Sequence, residues 1–201
     1  MRNTDVFEPE EMARLDQLDA GLRQEADEFL RDSGLGRAIS DAGFAAVGSY
    51  VTRTMVWRDL DFERMDDSPS WQDHWALGQA FEETGWVWRL TCVDAYRDEY
   101  SPGDLGFYWG LRATRPDGGP IWKLDLWTAR PQEFALEQRK TWAALMTPEA
   151  RLHILAIKEF ACSRPEYRRS LLSVHIYEAV LERGITGVET FFEWWRNTHG
   201  G

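Results

Sequence analysis

Two aspartates one residue apart, Asp59 and Asp61, follow a Gly48-Ser49 pair in the stretch VGSYVTRTMVWRDLDF, residues 47–62. A third acid, Asp125, stands between two leucines in IWKLDLWTA. Residues 58–64 alternate, so a strand there puts Leu60 and Phe62 on one side and Asp59, Asp61 and Glu63 on the other. In the later stretch Trp122, Leu124 and Leu126 make the apolar side, and Lys123, Asp125 and Trp127 the other. An unpaired buried carboxylate is costly, so a cation or a hydrogen-bond network is expected beside Asp125. Carboxylates from neighbouring strands suit hard divalent cations, and magnesium leaves positions open to water and phosphates. A pair of such ions can activate an attacking hydroxyl and stabilise a leaving pyrophosphate. Gly48 lets a phosphate approach the backbone, and Ser49 at a strand-to-helix turn offers amides and a hydroxyl. The plain alternative is a loop followed by a strand with an acidic outer face.

These residues need a sheet to hold them. Short apolar or alternating runs at residues 44–47, 58–64, 86–93, 105–113 and 121–127 predict five strands, the last two joined by the turn-forming TRPDGGP. Residues 9–32 carry Met12, Leu15, Leu18, Leu22, Phe29 and Leu30 at helical spacing, with Gly21 as a candidate break. The run SPSWQDHWALGQAFEETG predicts a helix capped by Ser68 or Ser70, with Trp71, Trp75 and Phe81 toward the core and Gly85 as its stop. Beyond Pro131 three further helices are expected, punctuated by Thr147-Pro148, Pro165, Gly184 and Gly187. The expectation is an α+β fold: residues 1–135 form a mixed-sheet core with an N-terminal helix, and residues 136–201 a helical region packed on it.

Composition bounds the function. A chain of 201 residues with 43% hydrophobic side chains, 28% charged ones and 11 tryptophans can bury a full core. A net charge of −11 argues against long nucleic acids, which are bound through clustered Lys and Arg, and favours a cationic small molecule. Cys92 and Cys162 lack CxxC spacing and read as reduced, buried thiols. Without an apolar leader or a membrane-length run, the chain reads as cytoplasmic, with no membrane partner. His74, His153, His175 and His199 form no ligand or nucleophile pattern. Tyr108, Trp109 and Trp127 either stack on a base or sugar or belong to the core.

Together, VGSYVTRTMVWRDLDF and KLDLW resemble the nucleotidyltransferase superfamily that includes DNA polymerase beta and the aminoglycoside nucleotidyltransferases. Its signature is a hydrophobic residue, Gly-Ser, a spacer of about nine to thirteen residues, Asp-hydrophobic-Asp, and a third carboxylate between hydrophobics on a later strand. The tail is similar to that of bacterial members, so the likeness spans residues 40–198. The resemblance implies a minimal nucleotidyltransferase fold and transfer of a nucleoside monophosphate from an NTP to an acceptor hydroxyl. It implies that Gly48 and Ser49 bind the β and γ phosphates and that Asp59, Asp61 and Asp125 ligate Mg2+. Asp125 ligates the catalytic ion or acts as the base. Arg53 departs from the small residue that many relatives have there, and either neutralises phosphate or pairs with an acid. Lys123 either touches a phosphate or pairs with Asp125, and Lys158 either reaches the triphosphate or lies on a helix surface. An aminoglycoside-like small molecule is the leading acceptor. The rivals are AMP transfer to a protein side chain, as in antitoxin-like members, and a nucleotide- or partner-binding module without turnover.

Overall fold

The computed structural model describes residues 7–97, 105–167 and 169–199. Its architecture is α+β, with a five-stranded mixed sheet ordered β1-β2-β5-β4-β3. The strands are β1 (Ala45–Val47), β2 (Asp59–Met65), β3 (Val87–Asp94), β4 (Phe107–Ala113) and β5 (Trp122–Ala129). Only the β2–β5 pairing is parallel; the β1–β2, β5–β4 and β4–β3 pairings are antiparallel. All five expected strands are present, because each combines a period-two or short apolar run with flanking turn residues. No helix among the described residues is long and apolar enough to cross a membrane.

The chain divides into two compact units. The sheet unit comprises residues 22–52 and 57–136; the helical unit comprises residues 1–21, 53–56 and 137–201. The helix α1 (Pro9–Asp32) contributes to both, and it runs unbroken through Gly21. A Cβ at Gly21 would meet nothing within 4 Å, so that glycine is a tolerated weak point rather than a stop.

In the sheet unit, Leu22, Ala26 and Phe29 of α1 are buried, and Phe29 stacks on Trp122 with ring centroids 5.2 Å apart. Two short helices follow, α2 (Leu35–Asp41) and α3 (Gly48–Thr52), and then α4 (Trp71–Glu82), capped by Ser70, whose hydroxyl accepts from the Asp73 amide. The expected tryptophan stripe on α4 is corrected: Trp75 is 57% exposed, and the buried side of the helix is His74, Gly78 and Phe81. A Cβ at Gly78 would lie 2.7 Å from the Trp109 ring, so only glycine lets α4 come this close to β4. His74 donates to or accepts from the Thr128 hydroxyl at 3.1 Å and stacks against Trp109.

In the helical unit, α5 (Leu136–Leu145), α6 (Pro148–Cys162), α7 (Ser173–Leu181) and α8 (Val188–His199) follow one another. The helix expected from Pro165 begins only at Ser173, because residues 165–167 and 169–172 form turns and isolated bridges. Residues 53–55 are held by side chains of the surrounding helices. Arg151 donates to the Arg53 carbonyl at 2.9 Å, Lys158 donates to the Thr54 carbonyl at 2.8 Å, and Asp19 accepts from the Met55 amide at 2.9 Å. Three successive residues thus satisfy backbone groups through buried or half-buried charges, which is why this short segment clusters with the helices. Both cysteines are free, and Cys162 is exposed rather than buried.

Replacing Gly21→Ala should raise stability by about 0.5–1 kcal/mol in urea unfolding, since it removes a helix-interior glycine without a clash. Burial, with a smaller push from Arg64, lowers the His74 pKa from 6.5 to about 4. The unfolded chain therefore binds a proton in that window that the folded chain refuses, and stability falls as pH drops from about 6.5 to about 4. The loss should reach about 3 kcal/mol, and unfolding curves of His74→Phe should lack this part of the pH slope.

Candidate metal centre

The parallel register of β2 and β5 builds the site. Asp59 pairs with Lys123 and Asp61 with Asp125, so four charged side chains rise from one face of two adjacent strands. The opposite face, with Leu60, Phe62, Leu124 and Leu126, is fully buried or nearly so. Asp59, Asp61 and Asp125 each present a carboxylate oxygen within 4.8 Å of the others. Glu63, the third acid of β2, pairs with Trp127 instead.

Lys123 lies among these acids. Its ammonium is 3.1 Å from Asp59 Oδ1 and makes a still closer ion pair with Asp125. Side-chain exposures of 12–21% put this cluster in a partly dried environment, where charge pairs are worth more than at an open surface. The indole of Trp57 donates to Asp59 Oδ2 at 3.1 Å. Of the two readings of Lys123, the structure gives the ion pair. The lysine is a cation set among these acids, and three oxygen donors this close together are a group that could hold a divalent ion.

Gly48 closes the other side. Val47 pairs with Asp61 across β1 and β2, and Gly48 follows at φ +66, where α3 begins. A Cβ at Gly48 would collide with the Asp61 carboxylate and come within 3.2 Å of its Cβ and Cγ. Glycine is thus required twice, for the left-handed backbone and for the space that Asp61 takes. Ser49 is the next residue, half-buried. The phenol of Tyr50 in the same turn donates to Asp27 of α1 in a short hydrogen bond, which ties α3 to that helix.

Two further residues shape the site and were not read from the sequence as partners. Tyr108 donates its hydroxyl to Asp125 Oδ1 at 2.8 Å. To reach it, the ring lies over Gly110, where a Cβ would come within 2.9 Å of the phenol carbon. A glycine inside an otherwise well-formed strand pattern was the available signal, since it marks a place where another group approaches the backbone. Tyr108 and Trp127 pack together on this face at 4.9 Å, whereas Trp109 is core, with its indole donating to the His74 carbonyl.

The remaining predicted residues belong to the helical unit. Lys158 is 1% exposed, so its reading as a helix-surface lysine is corrected. Its ammonium donates to the Thr54 carbonyl and lies 5.8 Å from the centre of the Tyr177 ring. Arg53 is exposed at φ +60, and its carbonyl is the one held by Arg151.

No family model matches the chain, and no curated protein matches it as a relative. The site therefore stands on its own geometry.

Burial, the Asp125 charge and the Asp125 hydrogen bond, in that order, hold the Tyr108 phenol far above its ordinary value of 10.0. In Gly110→Ala the added methyl should push the ring off Asp125. Ultraviolet titration should then show one more tyrosine ionising near pH 10 than in the unaltered protein.

Proposed function

We propose that this protein is a magnesium-dependent nucleotidyltransferase that moves a nucleoside monophosphate from an NTP to an acceptor hydroxyl and releases pyrophosphate. The observation that carries the reading is the convergence of Asp59, Asp61 and Asp125 within 4.8 Å beside Gly48. The likeness of VGSYVTRTMVWRDLDF and KLDLW to the nucleotidyltransferase superfamily supports it.

Asp59, Asp61 and Asp125 would hold Mg2+, which when bound neutralises phosphate charge and favours in-line displacement. The chain's own groups do the rest. Gly48 and the Ser49 hydroxyl receive the phosphates next to Asp61. Asp125 takes the proton of the acceptor hydroxyl as its oxygen bonds to the α-phosphorus and the bond to the pyrophosphate oxygen breaks. Tyr108, donating to one oxygen of Asp125, fixes the rotamer, and the second oxygen, paired with Lys123 before substrate arrives, takes up that work once the ammonium moves off. Lys123 pairs with Asp59 and Asp125 and spaces them before substrate arrives. We place the reaction in the cytoplasm, where free thiols such as Cys92 and Cys162 and an NTP pool are both at home.

A second reading rests on Lys123: the lysine-bridged acids are a structural cluster, and the protein binds a partner without turnover. Calorimetric titration separates the two. Each of the four NTPs with Mg2+ is titrated into the unaltered protein and into Asp59→Asn/Asp61→Asn. Binding of one NTP that requires the metal and weakens at least about a hundredfold in the variant is the expected result. Equal binding by both proteins, or none by a folded unaltered protein, contradicts the proposal.

A further inference from the structure

The rows of the sheet continue past the metal centre. Lys123 pairs with Arg112 on β4, and Arg112 pairs with Arg89 on β3, so Asp59, Lys123, Arg112 and Arg89 form one line across four strands on the same face. The next row is Asp61, Asp125, Gly110 and Thr91. The face thus grades from acids on β2 to arginines on β4 and β3. Arg112 stands opposite Lys123 in the row beside Asp125, and Arg89 opposite Arg112, so the arginines continue the rows of the centre rather than lying elsewhere on the sheet.

Like charges directly opposite one another destabilise an antiparallel pair. Lys123 is neutralised by Asp59 and Asp125, but Arg89 and Arg112 make no ion pair with a carboxylate among the described residues. Arg112 donates only to the neighbouring Leu111 carbonyl, and Arg89 is exposed. A register shift between Val87 and Arg89 inserts Trp88 there, 56% exposed. Two arginines at paired positions beside a bulge carry two guanidinium forks, which match the several oxygens of a phosphate group better than any single cation would.

We infer that Arg89 and Arg112 bind a phosphate group carried by a small-molecule acceptor. This rests on the nucleotidyl-transfer reading, because what makes the anion the acceptor's is its position. Gly48 and Ser49 follow β1 on one side of the carboxylates, while the arginines lie on β4 and β3 on the other. The triphosphate and the arginine-bound phosphate would then flank Asp125, with the acceptor hydroxyl between them. An aminoglycoside-like polycation does not suit this row. The net charge of −11 describes the whole surface; the register describes the place where the acceptor meets Asp125.

The test titrates inorganic phosphate into 15N-labelled protein in EDTA. Saturable shifts are expected at the amides of Arg89, Thr91, Gly110 and Arg112, no weaker in Asp59→Asn/Asp61→Asn, which removes negative charge from the row, and at least tenfold weaker in Arg89→Gln/Arg112→Gln. The single Arg89→Gln change, at an exposed position, gives the same direction should the double variant unfold. The same shifts should persist when Mg2+ and the NTP found by calorimetry are present. Absence of shifts in that row, or equal affinity in the arginine variants, overturns the subsite. Competition between NTP and phosphate hands the arginines to the NTP and overturns the acceptor assignment. Tighter capture of a single-stranded oligonucleotide than of phosphate overturns the small-molecule assignment. Failure of all NTP binding with phosphate binding intact sinks the proposed function and leaves an anion site alone.

Discussion

Asp61 and Asp125 face each other in register across the one parallel strand pair of the sheet, and two like charges so placed repel. That repulsion is the constraint the rest of the site answers. Asp59, two residues before Asp61 on the same face, adds a third negative charge, and the Lys123 ammonium between Asp59 and Asp125 relieves part of it. Two hydrogen bonds from the flanks have the same sense: Trp57 donates to Asp59 and Tyr108 donates to Asp125. The fold thus stabilises three carboxylates against a single ammonium, a concentration of oxygen donors that could hold a divalent cation.

The backing of this face is what makes it rigid. Leu60, Phe62, Leu124 and Leu126 alternate with the acids and are buried, so the register cannot slip without turning the apolar side outward. Three glycines serve close approaches: Gly78 to Trp109, Gly48 to Asp61 and Gly110 to Tyr108. In each case an aromatic or carboxylate occupies the volume that a side chain would have claimed. The buried, neutral His74 belongs to the same backing, on the core side of β4 and β5 through Trp109 and Thr128.

Much of this was legible in the residues. Alternation around Leu60 and Leu124 gave the strands and the face that carries Asp59, Asp61 and Asp125, because a period of two assigns sides without knowing the partners. What alternation cannot give is strand order, and so the Arg89–Arg112–Lys123 row was invisible until β5 and β4 were seen as neighbours. Lys158 was misread because helical periodicity does not say that residues 53–56 cover that side of α6 with carbonyls needing donors. The same segment, together with the buried Asp19 on an otherwise apolar stripe of α1, shows why the N-terminal half of that helix belongs with the distant C-terminal helices. Trp75 was misplaced because bulk apolarity outweighed geometry: the glycine at position 78, not the tryptophans, marks the side of α4 that meets the sheet.

The central claim is that the three aspartates share a divalent ion in the presence of nucleotide. Anomalous diffraction from crystals grown with Mn2+ and a non-hydrolysable analogue of the bound NTP tests it most directly. The expected result is a peak about 2.0–2.3 Å from carboxylate oxygens of Asp59, Asp61 and Asp125, with the Lys123 ammonium moved off at least one of them. A map with nucleotide bound but no metal among these carboxylates, and Lys123 still bridging Asp59 and Asp125, would contradict it.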